Sequence, residues 1–527
     1  YYAAGVARVQ ALEQDGATFS PLGTVVVVPP WNFPLAIPAG GVLAALAAGN
    51  AVILKPAPES VATSAALAEA CWAAGVPPDV LQLVPCADGE ASKRLITDPG
   101  VDGAILTGSW DTARIFLGWR PSLALRAETS GKNAMVITAT ADLDLAIADL
   151  VHSAFGHAGQ KCSAASLAIL EASVYDDPRF RRQLADAVRT LRLGPGWHPT
   201  TTMGPLIRRP EGPLDRALRH LDGGETWLVQ PAQVGGNPQL WSPGVKLGVQ
   251  PGSHFHLTEC FGPVLGIMRA ANLEEATRWQ DQPAYGLTAG LHSLDPAEIE
   301  WWTDSVRAGN LYVNRPITGA IVGRQPFGGW KRSVVGPGAK AGGPNYLLSL
   351  GTWTAPAPPS VDGFADAVAR TWSQSMGPSD PAGLRAEANV FRYRRLKRVL
   401  VRAGHDVGDR DLDAVVAAAK AIGVAVEVSA TRAREAPGAR VETDHELVER
   451  LAETAGLDKL RLLGTAGDEL RLAAHDAGLW VDDTPFSAHP GLEALRWARE
   501  QVVSQTLHRH GDVTGRFSSP RGHTVAS

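Results

Sequence analysis

Residues 24–30 read TVVVVPP, residues 51–56 read AVILKP and residues 103–109 read GAILTGS. Each is a short run of aliphatic, mostly β-branched residues, and alanine-rich stretches with helical spacing lie between them. Strands that alternate with helices are typical of βαβ units, which build a parallel sheet. The pattern predicts an α/β protein that begins with a doubly wound nucleotide-binding domain over residues 1–128.

The composition is that of an ordinary globular protein. The chain has 527 residues, of which 45% are hydrophobic and 20% charged, and its formal net charge is -5. This length favours several domains, and the charge does not favour a nucleic-acid partner. The longest apolar runs, at 24–28 and 42–48, are too short to span a membrane.

The four cysteines have no CxxC spacing, so we expect neither a metal site nor a disulfide framework, and a cytoplasmic location is the default. Since the chain starts at Tyr1, inside a segment of helical character, we expect an N-terminal part to be missing.

The rest of the chain divides by composition. We expect a catalytic domain at 129–318, a substrate-anchor loop and return segment at 319–354, a Pro-rich linker at 355–363, a smaller α/β Rossmann-like domain at 364–513 and a disordered tail at 514–527.

Four short segments carry most of the chemistry. They are PWNFP (30–34), AETSGKN (127–133), GQKCSA (159–164) and TECFGPV (258–264). Occurring once each and in this order, they resemble the aldehyde dehydrogenase superfamily. The resemblance implies that family's fold, namely a doubly wound NAD-binding domain with an α/β catalytic domain, and NAD(P)-dependent oxidation of an aldehyde.

Aldehyde oxidation requires a nucleophile, donors for the developing oxyanion and a base. By resemblance, Cys162 is the nucleophile, Asn32 supplies the amide of the oxyanion site and Glu128 activates water. Each residue also has a structural alternative. A lone cysteine is usually buried packing, Asn32 could cap the helix after Pro34, and an isolated glutamate is usually on the surface.

The cofactor site has no GxGxxG sequence after the first strand. By resemblance, LTGSWDTA (106–113) takes its place, and the residues that contact the cofactor are Trp31, Lys55, Gly108, Ser109, Glu259 and Phe261. Lys55 could instead be a surface charge at a strand end.

An acidic residue is expected three positions after this lysine, but Pro58 stands there and Glu59 follows. This departure leaves NADP possible, but NAD is the expected cofactor because no nearby arginine suits a ribose 2′-phosphate. No metal is expected.

Residues 324–350, which include RQPFGG and KAGGPNYL, resemble the dehydrogenases of L-glutamate γ-semialdehyde. That subgroup implies a carboxylate-binding turn, assigned to Ala341 and Gly342 with Ser163, and an aromatic contact from Phe33. Consecutive main-chain N–H groups in a Gly-rich turn can form such an anion site. An ordinary flexible turn is the alternative.

The C-terminal sequence LRWAREQVVSQTLHRHGDV (495–513) resembles the end of bifunctional proline utilization A proteins, in which a degenerate dehydrogenase-like domain follows the active one. It implies a parent with an N-terminal proline dehydrogenase module, and FAD is not expected in this chain. We expect a small-molecule substrate and a homo-oligomer. Another aldehyde as substrate, and a non-catalytic scaffold, remain open.

Overall fold

The computed structural model describes residues 1–434, 438–453, 456–509 and 512–513. The tail predicted at 514–527 lies outside the described residues. No helix in the described part of the chain is long and apolar enough to cross a membrane.

The strands are β1 Thr18–Pro21, β2 Thr24–Val28, β3 Ala51–Leu54, β4 Leu81–Leu83, β5 Gly103–Gly108, β6 Ala124–Thr129, β7 Asn133–Ile137, β8 Ala165–Glu171, β9 Thr226–Val229, β10 Gly244–Leu247, β11 Val264–Ala270, β12 Tyr285–Gly286, β13 Thr288–His292, β14 Asn310–Val313, β15 Trp330–Lys331, β16 Val334–Val335, β17 Gly351–Thr354, β18 Glu387–Arg395, β19 Arg398–Ala403, β20 Ala425–Ala430, β21 Arg440–Val441, β22 Lys459–Leu463, β23 Val481–Asp482, β24 Ala498–Thr506, β25 His508–Arg509 and β26 Asp512–Val513.

The α-helices are α1 Tyr2–Gln14, α2 Ala36–Ala47, α3 Val61–Ala73, α4 Glu90–Thr97, α5 Trp110–Trp119, α6 Leu143–Phe155, α7 Ala172–Asp176, α8 Pro178–Arg189, α9 Gly212–Arg219, α10 His254–Leu257, α11 Leu273–Asp281, α12 Pro296–Ser305, α13 Val361–Ser375, α14 Asp409–Ala421, α15 Asp444–Glu453, α16 Asp468–Asp476 and α17 Pro490–Arg496. Short 3₁₀ turns lie at Pro58–Ser60, Gly156–Gly159 and Leu347–Ser349.

The first sheet has the order β16-β6-β5-β2-β3-β4 and is parallel except at β16. The sequence of strand β2 is continuously apolar because both faces of the sheet are covered at this strand. Val25 and Val27 pack into the core on one face of the sheet, and Val26 packs into the core on the other. Because β2 lies between β3 and β5, the strand order reverses at β2 and β5, where a doubly wound sheet forms its binding crevice.

The second sheet has nine strands in the order β18-β24-β14-β13-β7-β8-β11-β10-β9. Its central strands are parallel, and helices α6, α8 and α11 contribute side chains to the core that covers it. Strands β18 and β24 come from the segment 364–513, which the sequence assigns to a separate domain. They extend the catalytic sheet because β24 pairs with β14 from Asn310↔Val502 to Val313↔Gln505.

The C-terminal segment also forms a five-stranded parallel sheet of its own, in the order β21-β20-β19-β22-β23. This sheet has the predicted Rossmann-like form. Helix α13 starts at Val361, inside the predicted linker 355–363. Thus the C-terminal segment contributes both an independent sheet and two strands of the catalytic sheet.

Candidate active site

Cys162 lies in the loop between α6 and β8. Helix α6 begins at its N-cap Asp142, whose side chain accepts the N–H of Leu145, and ends at Phe155, as the helical spacing before the cysteine predicts. The backbone then turns sharply, because His157 and Ala158 adopt left-handed conformations with φ of 60° and 54°. Strain of this kind persists only where the surroundings hold the backbone.

Asn133, the last residue of AETSGKN, holds this loop. Its side-chain Nδ2 donates to the main-chain oxygens of Cys162 at 2.8 Å and Ala164 at 3.0 Å, and its Oδ1 accepts the N–H of Thr288 at 3.1 Å. The sequence interpretation assigned no role to Asn133. An amide at the first position of an otherwise apolar strand was the signal that the sequence offered.

The thiol of Cys162 and the carboxyl of Glu128 are neighbours, and each changes the pKa of the other. Burial raises the pKa of Glu128 to about 7, against the lowering effects of the thiol and the Lys340 ammonium. Burial and the nearby Glu128 carboxylate raise the pKa of Cys162 well above its ordinary value. A basic carboxylate therefore lies beside a protonated thiol, which is the arrangement that a proton transfer requires.

Asn32 is buried, with 4% of its surface exposed, and its Nδ2 donates to the main-chain oxygen of Gln160 at 3.0 Å. This bond fixes the amide beside the loop that carries Cys162, two residues further along the chain. The second N–H of the same Nδ2 remains for an oxyanion. Asn32 does not cap the following helix, because the N-cap of α2 is Leu35 and no side chain caps it.

Several predicted cofactor residues lie at the crevice. Gly108 ends β5, and Ser109 is the N-cap of α5, where its Oγ accepts the N–H of Thr112 at 3.0 Å. The rings of Trp31 and Phe261 are in edge-to-face contact, with centroids 5.8 Å apart. A helix N-terminus is suited to a pyrophosphate, and the aromatic pair forms an apolar wall.

Glu259 accepts the N–H of Gly131 on its Oε1 at 2.8 Å, and burial raises the pKa of its carboxyl. Lys55 is buried, but its Nζ is 2.7 Å from Oδ1 of the exposed Asp88. Near Lys55, the Oε2 atom of Glu59 is buried and has no hydrogen-bond partner among the described residues. A buried carboxylate oxygen without a donor fits a ribose hydroxyl, so the side chains present suit a nicotinamide dinucleotide.

The anion site predicted at Ala341 and Gly342 is not formed. The N–H of Ala341 donates to the main-chain oxygen of Phe327 at 2.9 Å, and the N–H of Gly342 donates to the hydroxyl of Tyr2 at 3.0 Å. Both donors are used within the protein, by the backbone of Phe327 and by the side chain of Tyr2, which a Gly-rich sequence alone does not reveal.

The loop at 318–323 is the alternative that the sequence interpretation missed. Gly319 has a φ of 88°, and the N–H groups of Gly319 and Ala320 have no hydrogen-bond partner in the described part of the chain. The loop is tied to α6 by a bond from the N–H of Ile317 to Oγ of Ser153 at 3.1 Å. In the sequence, the glycine of TGA (318–320) was the only feature that pointed to this loop.

The remaining predicted substrate residues lie beside the nucleophile. Ser163 is buried next to Cys162. Phe33 stacks on the imidazole of His157, with ring centroids 5.7 Å apart and an interplanar angle of 3°. Phe33 therefore packs directly against the strained turn that leads to the nucleophile.

A cavity opens next to Glu128. It is bounded by β5 and β6 on one side and by the return segment on the other, and Arg126, Gly328, Ala341 and Tyr346 are in its wall. Arg126 and Glu128 face the same side of β6 because they are two residues apart on a strand. The cavity leaves room for the water that a deacylation requires.

Lys340 and Glu500 support this wall from the C-terminal side. The Nζ of Lys340 donates to Oδ1 of Asn310 at 2.9 Å and to the main-chain oxygen of Gly328. Glu500, on β24, accepts the N–H of Lys340 at 2.8 Å and the side chain of Asn345 at 2.7 Å. The C-terminal strand therefore holds the segment that borders Glu128.

Comparison with known proteins identifies the family to which this fold belongs. The family model described as "Aldehyde dehydrogenase family" matches residues 7–352. The chain belongs to the aldehyde dehydrogenase family and has its α/β fold.

The chain is 36% identical over 341 residues to the 1-pyrroline-5-carboxylate dehydrogenase of Geobacillus thermodenitrificans (strain NG80-2), a match that covers 63% of this chain and 65% of that one. It is 36% identical over 353 residues to the bifunctional protein PutA of Salmonella typhimurium (strain LT2), covering 64% of this chain and 26% of PutA. The chain thus spans less than two thirds of the length of either relative.

Among solved structures, proline utilization A (PutA) from Corynebacterium freiburgense has a TM-score of 0.83 and 44% identity, and the likeness covers 94% of this chain and 51% of that one. A 1-pyrroline-5-carboxylate dehydrogenase from Thermus with bound NAD has a TM-score of 0.60 and 33% identity, covering 64% and 66% of the two chains. The first likeness therefore includes most of the C-terminal segment, whereas the second covers about as much of the chain as the family match.

Proposed function

We propose that this chain oxidises L-glutamate γ-semialdehyde, formed from 1-pyrroline-5-carboxylate, to L-glutamate with NAD as the oxidant. The observation that carries the proposal is the neighbouring, partly buried pair of Cys162 and Glu128, beside the fixed amide of Asn32. The substrate and cofactor are supported by the relatives named as 1-pyrroline-5-carboxylate dehydrogenases, one of which was solved with bound NAD.

In the first step Glu128 accepts the proton of the Cys162 thiol, and the thiolate attacks the aldehyde carbon. The carbonyl π bond breaks and its electron pair moves to oxygen. The Asn32 amide and the main-chain N–H of Cys162 donate to this oxygen, because fixed donors stabilise a charge that develops in a desolvated site.

When NAD is bound, its nicotinamide supplies the acceptor for the hydride that leaves the carbon. Trp31, Phe261 and Glu259 are suited to hold the nicotinamide riboside, and Gly108 and Ser109 the pyrophosphate. The carbon then remains bound to Cys162 as a thioester.

Glu128, having lost its proton to solvent, next takes a proton from water. The water oxygen attacks the thioester carbon, the C–S bond breaks and the thiolate of Cys162 leaves, so that the acid is released. The cavity beside Glu128 supports this step, because it offers space for water next to the base.

We propose that the α-carboxylate of the substrate binds the free N–H groups of Gly319 and Ala320, together with the hydroxyl of Ser163. Two adjacent main-chain donors in a turn with positive φ are suited to an anion. Phe33 would cover the aliphatic part of the substrate.

The test is NADH formation with 1-pyrroline-5-carboxylate, compared with succinate semialdehyde and a simple alkanal. The proposal expects kcat/KM to be highest for the substrate that carries the α-carboxylate. Equal kcat/KM values for all three aldehydes would still support an aldehyde dehydrogenase but would refute the proposed substrate.

We further propose that the chain corresponds to part of a cytoplasmic, homo-oligomeric proline-degrading enzyme that also carries an N-terminal proline dehydrogenase module. The support is the likeness to PutA proteins. The five-stranded C-terminal sheet has none of the four motifs, so we assign no chemistry to it.

A further inference from the structure

An ion pair joins a loop of the catalytic segment to the nucleotide-binding segment near the cofactor crevice. Arg208, in the loop before α9, contacts Oε1 of Glu59, in the turn that follows β3. The Arg208 side chain is 65% exposed and that of Glu59 only 16%. The two residues are far apart in sequence, and neither has a role in the proposed chemistry.

Glu59 lies where a ribose is expected to bind. Strand β3 follows β2 in the chain and pairs with it, so Glu59 comes just after the second strand of the doubly wound unit. In such sheets the acidic residue at this place accepts a hydrogen bond from the adenosine ribose 2′-hydroxyl. The buried Oε2 of Glu59, which has no partner among the described residues, is available for that bond.

Arg208 is held in place by its neighbours. The N–H of Ile207 donates to Oε1 of Gln160 at 3.1 Å, and Nε2 of Gln239 donates to the main-chain oxygen of Ile207 at 2.9 Å. The guanidinium therefore projects from an anchored backbone. Because Arg208 is largely exposed, its remaining N–H groups are accessible to a ligand.

The charged side chains around Glu59 form two pairs of opposite charge. Lys55 pairs with Asp88, and Arg208 pairs with Glu59. A carboxylate alone would repel a ribose 2′-phosphate, whereas an arginine and a lysine attract it. With both cations present, the site has an acceptor for a 2′-hydroxyl and donors for a 2′-phosphate.

We propose that Arg208 determines cofactor specificity, by offsetting Glu59 so that the site binds the 2′-phosphate of NADP as well as the 2′-hydroxyl of NAD. This inference rests on the proposed use of a nicotinamide cofactor but not on the identity of the aldehyde.

The experiment measures dissociation constants of NADH and NADPH by fluorescence titration, without aldehyde. The proteins are the wild type, Arg208→Ala, Glu59→Gln and Arg209→Ala, the last being a matched control on the adjacent exposed arginine. We expect the wild type to bind both nucleotides. Arg208→Ala should weaken NADPH about tenfold or more and NADH less than about threefold, as the loss of a charge-assisted bond to phosphate predicts.

Glu59→Gln should shift the preference toward NADPH, and Arg209→Ala should leave the ratio of the two constants unchanged. The proposal is overturned if the wild type does not bind NADPH, if Arg208→Ala leaves the ratio within about twofold, or if it weakens both nucleotides equally. Intact binding with no oxidation of 1-pyrroline-5-carboxylate would count against the proposed function alone.

Discussion

Cys162 and Glu128 depend on each other because both are partly buried and desolvated. Desolvation keeps the thiol protonated and gives the carboxyl a pKa of about 7. Ionising either group therefore costs free energy. A proton that moves from sulfur to the carboxylate neutralises one group as it charges the other. The same carboxylate then serves as the base for water, so a substitution at Glu128 affects both steps.

Glu128→Gln should remove the base of both half-reactions. The amide cannot accept a proton from the thiol or from water, so we expect kcat to fall by about 10²–10⁴. Because the thiol also loses its base, no burst of NADH should precede the slow phase in rapid-mixing experiments. Full steady-state turnover in this variant would show that another group is the base.

The pH dependence of kcat should have a limb near the pKa of Glu128. Because burial raises this pKa to about 7, the carboxyl is protonated and inactive below that pH, and activity should rise as the pH increases through it. The carboxyl should titrate within about one pH unit of its pKa. A profile that is flat between about pH 6 and 8 would therefore contradict the assignment.

At this scale the sequence identified residues that belong to compact motifs. Cys162, Glu128 and Asn32 are in short segments, and all three lie at one site. Asn133 and Arg208 were missed because their importance comes from bonds to distant segments. Ala341 and Gly342 were assigned wrongly as carboxylate donors for the same reason, since Phe327 and Tyr2 take their N–H groups.

The loop between α6 and β8 is the element that positions the nucleophile. The helical spacing predicted α6, and the glycine-rich sequence after it predicted a turn. The left-handed conformations of His157 and Ala158 were not predictable, because such backbone is imposed by packing against other segments. Gly159 continues this conformation with a φ of 68°.

Gly159→Ala should disrupt this element. A Cβ at Gly159 would lie 2.4 Å from the main-chain oxygen of Gly262, next to the segment that carries Glu259 and Phe261. We expect a loss of stability of about 1–3 kcal/mol and a larger loss of activity, since both loops must shift. Thermal unfolding and NADH assays measure the two effects.

Gly196→Ala is the control, because an added Cβ there meets no atom within 4 Å. It should leave both properties unchanged. Wild-type activity in Gly159→Ala would show that the close approach to Gly262 does not matter for the site.

Strand β24 joins the C-terminal segment to the catalytic sheet. This strand belongs to the C-terminal segment by sequence but lies inside the catalytic sheet, between β14 and β18. The Rossmann-like sheet at 398–482 was predictable from local alternation. The pairing of β24 with β14 was not, because nearly the whole C-terminal segment separates the two strands in sequence and no local pattern selects partners at that distance.

Val502→Asp tests this arrangement. Val502 is fully buried in β24, so an aspartate would place a carboxyl in the core between two strands. We expect a loss of stability above about 3 kcal/mol, with loss of activity, because β24 also carries Glu500. Val441→Asp, at a position that is 56% exposed, is the matched control and should unfold like the wild type. Equal melting temperatures for the two variants would contradict the pairing.

The most direct test of the central claim is NADH production from 1-pyrroline-5-carboxylate by the wild type and by Cys162→Ser. If Cys162 is the nucleophile of an aldehyde dehydrogenase acting on glutamate semialdehyde, the wild type should produce NADH. The serine variant should lose at least about 10³-fold of that rate while keeping its affinity for NADH. Wild-type NADH production in Cys162→Ser would contradict the account.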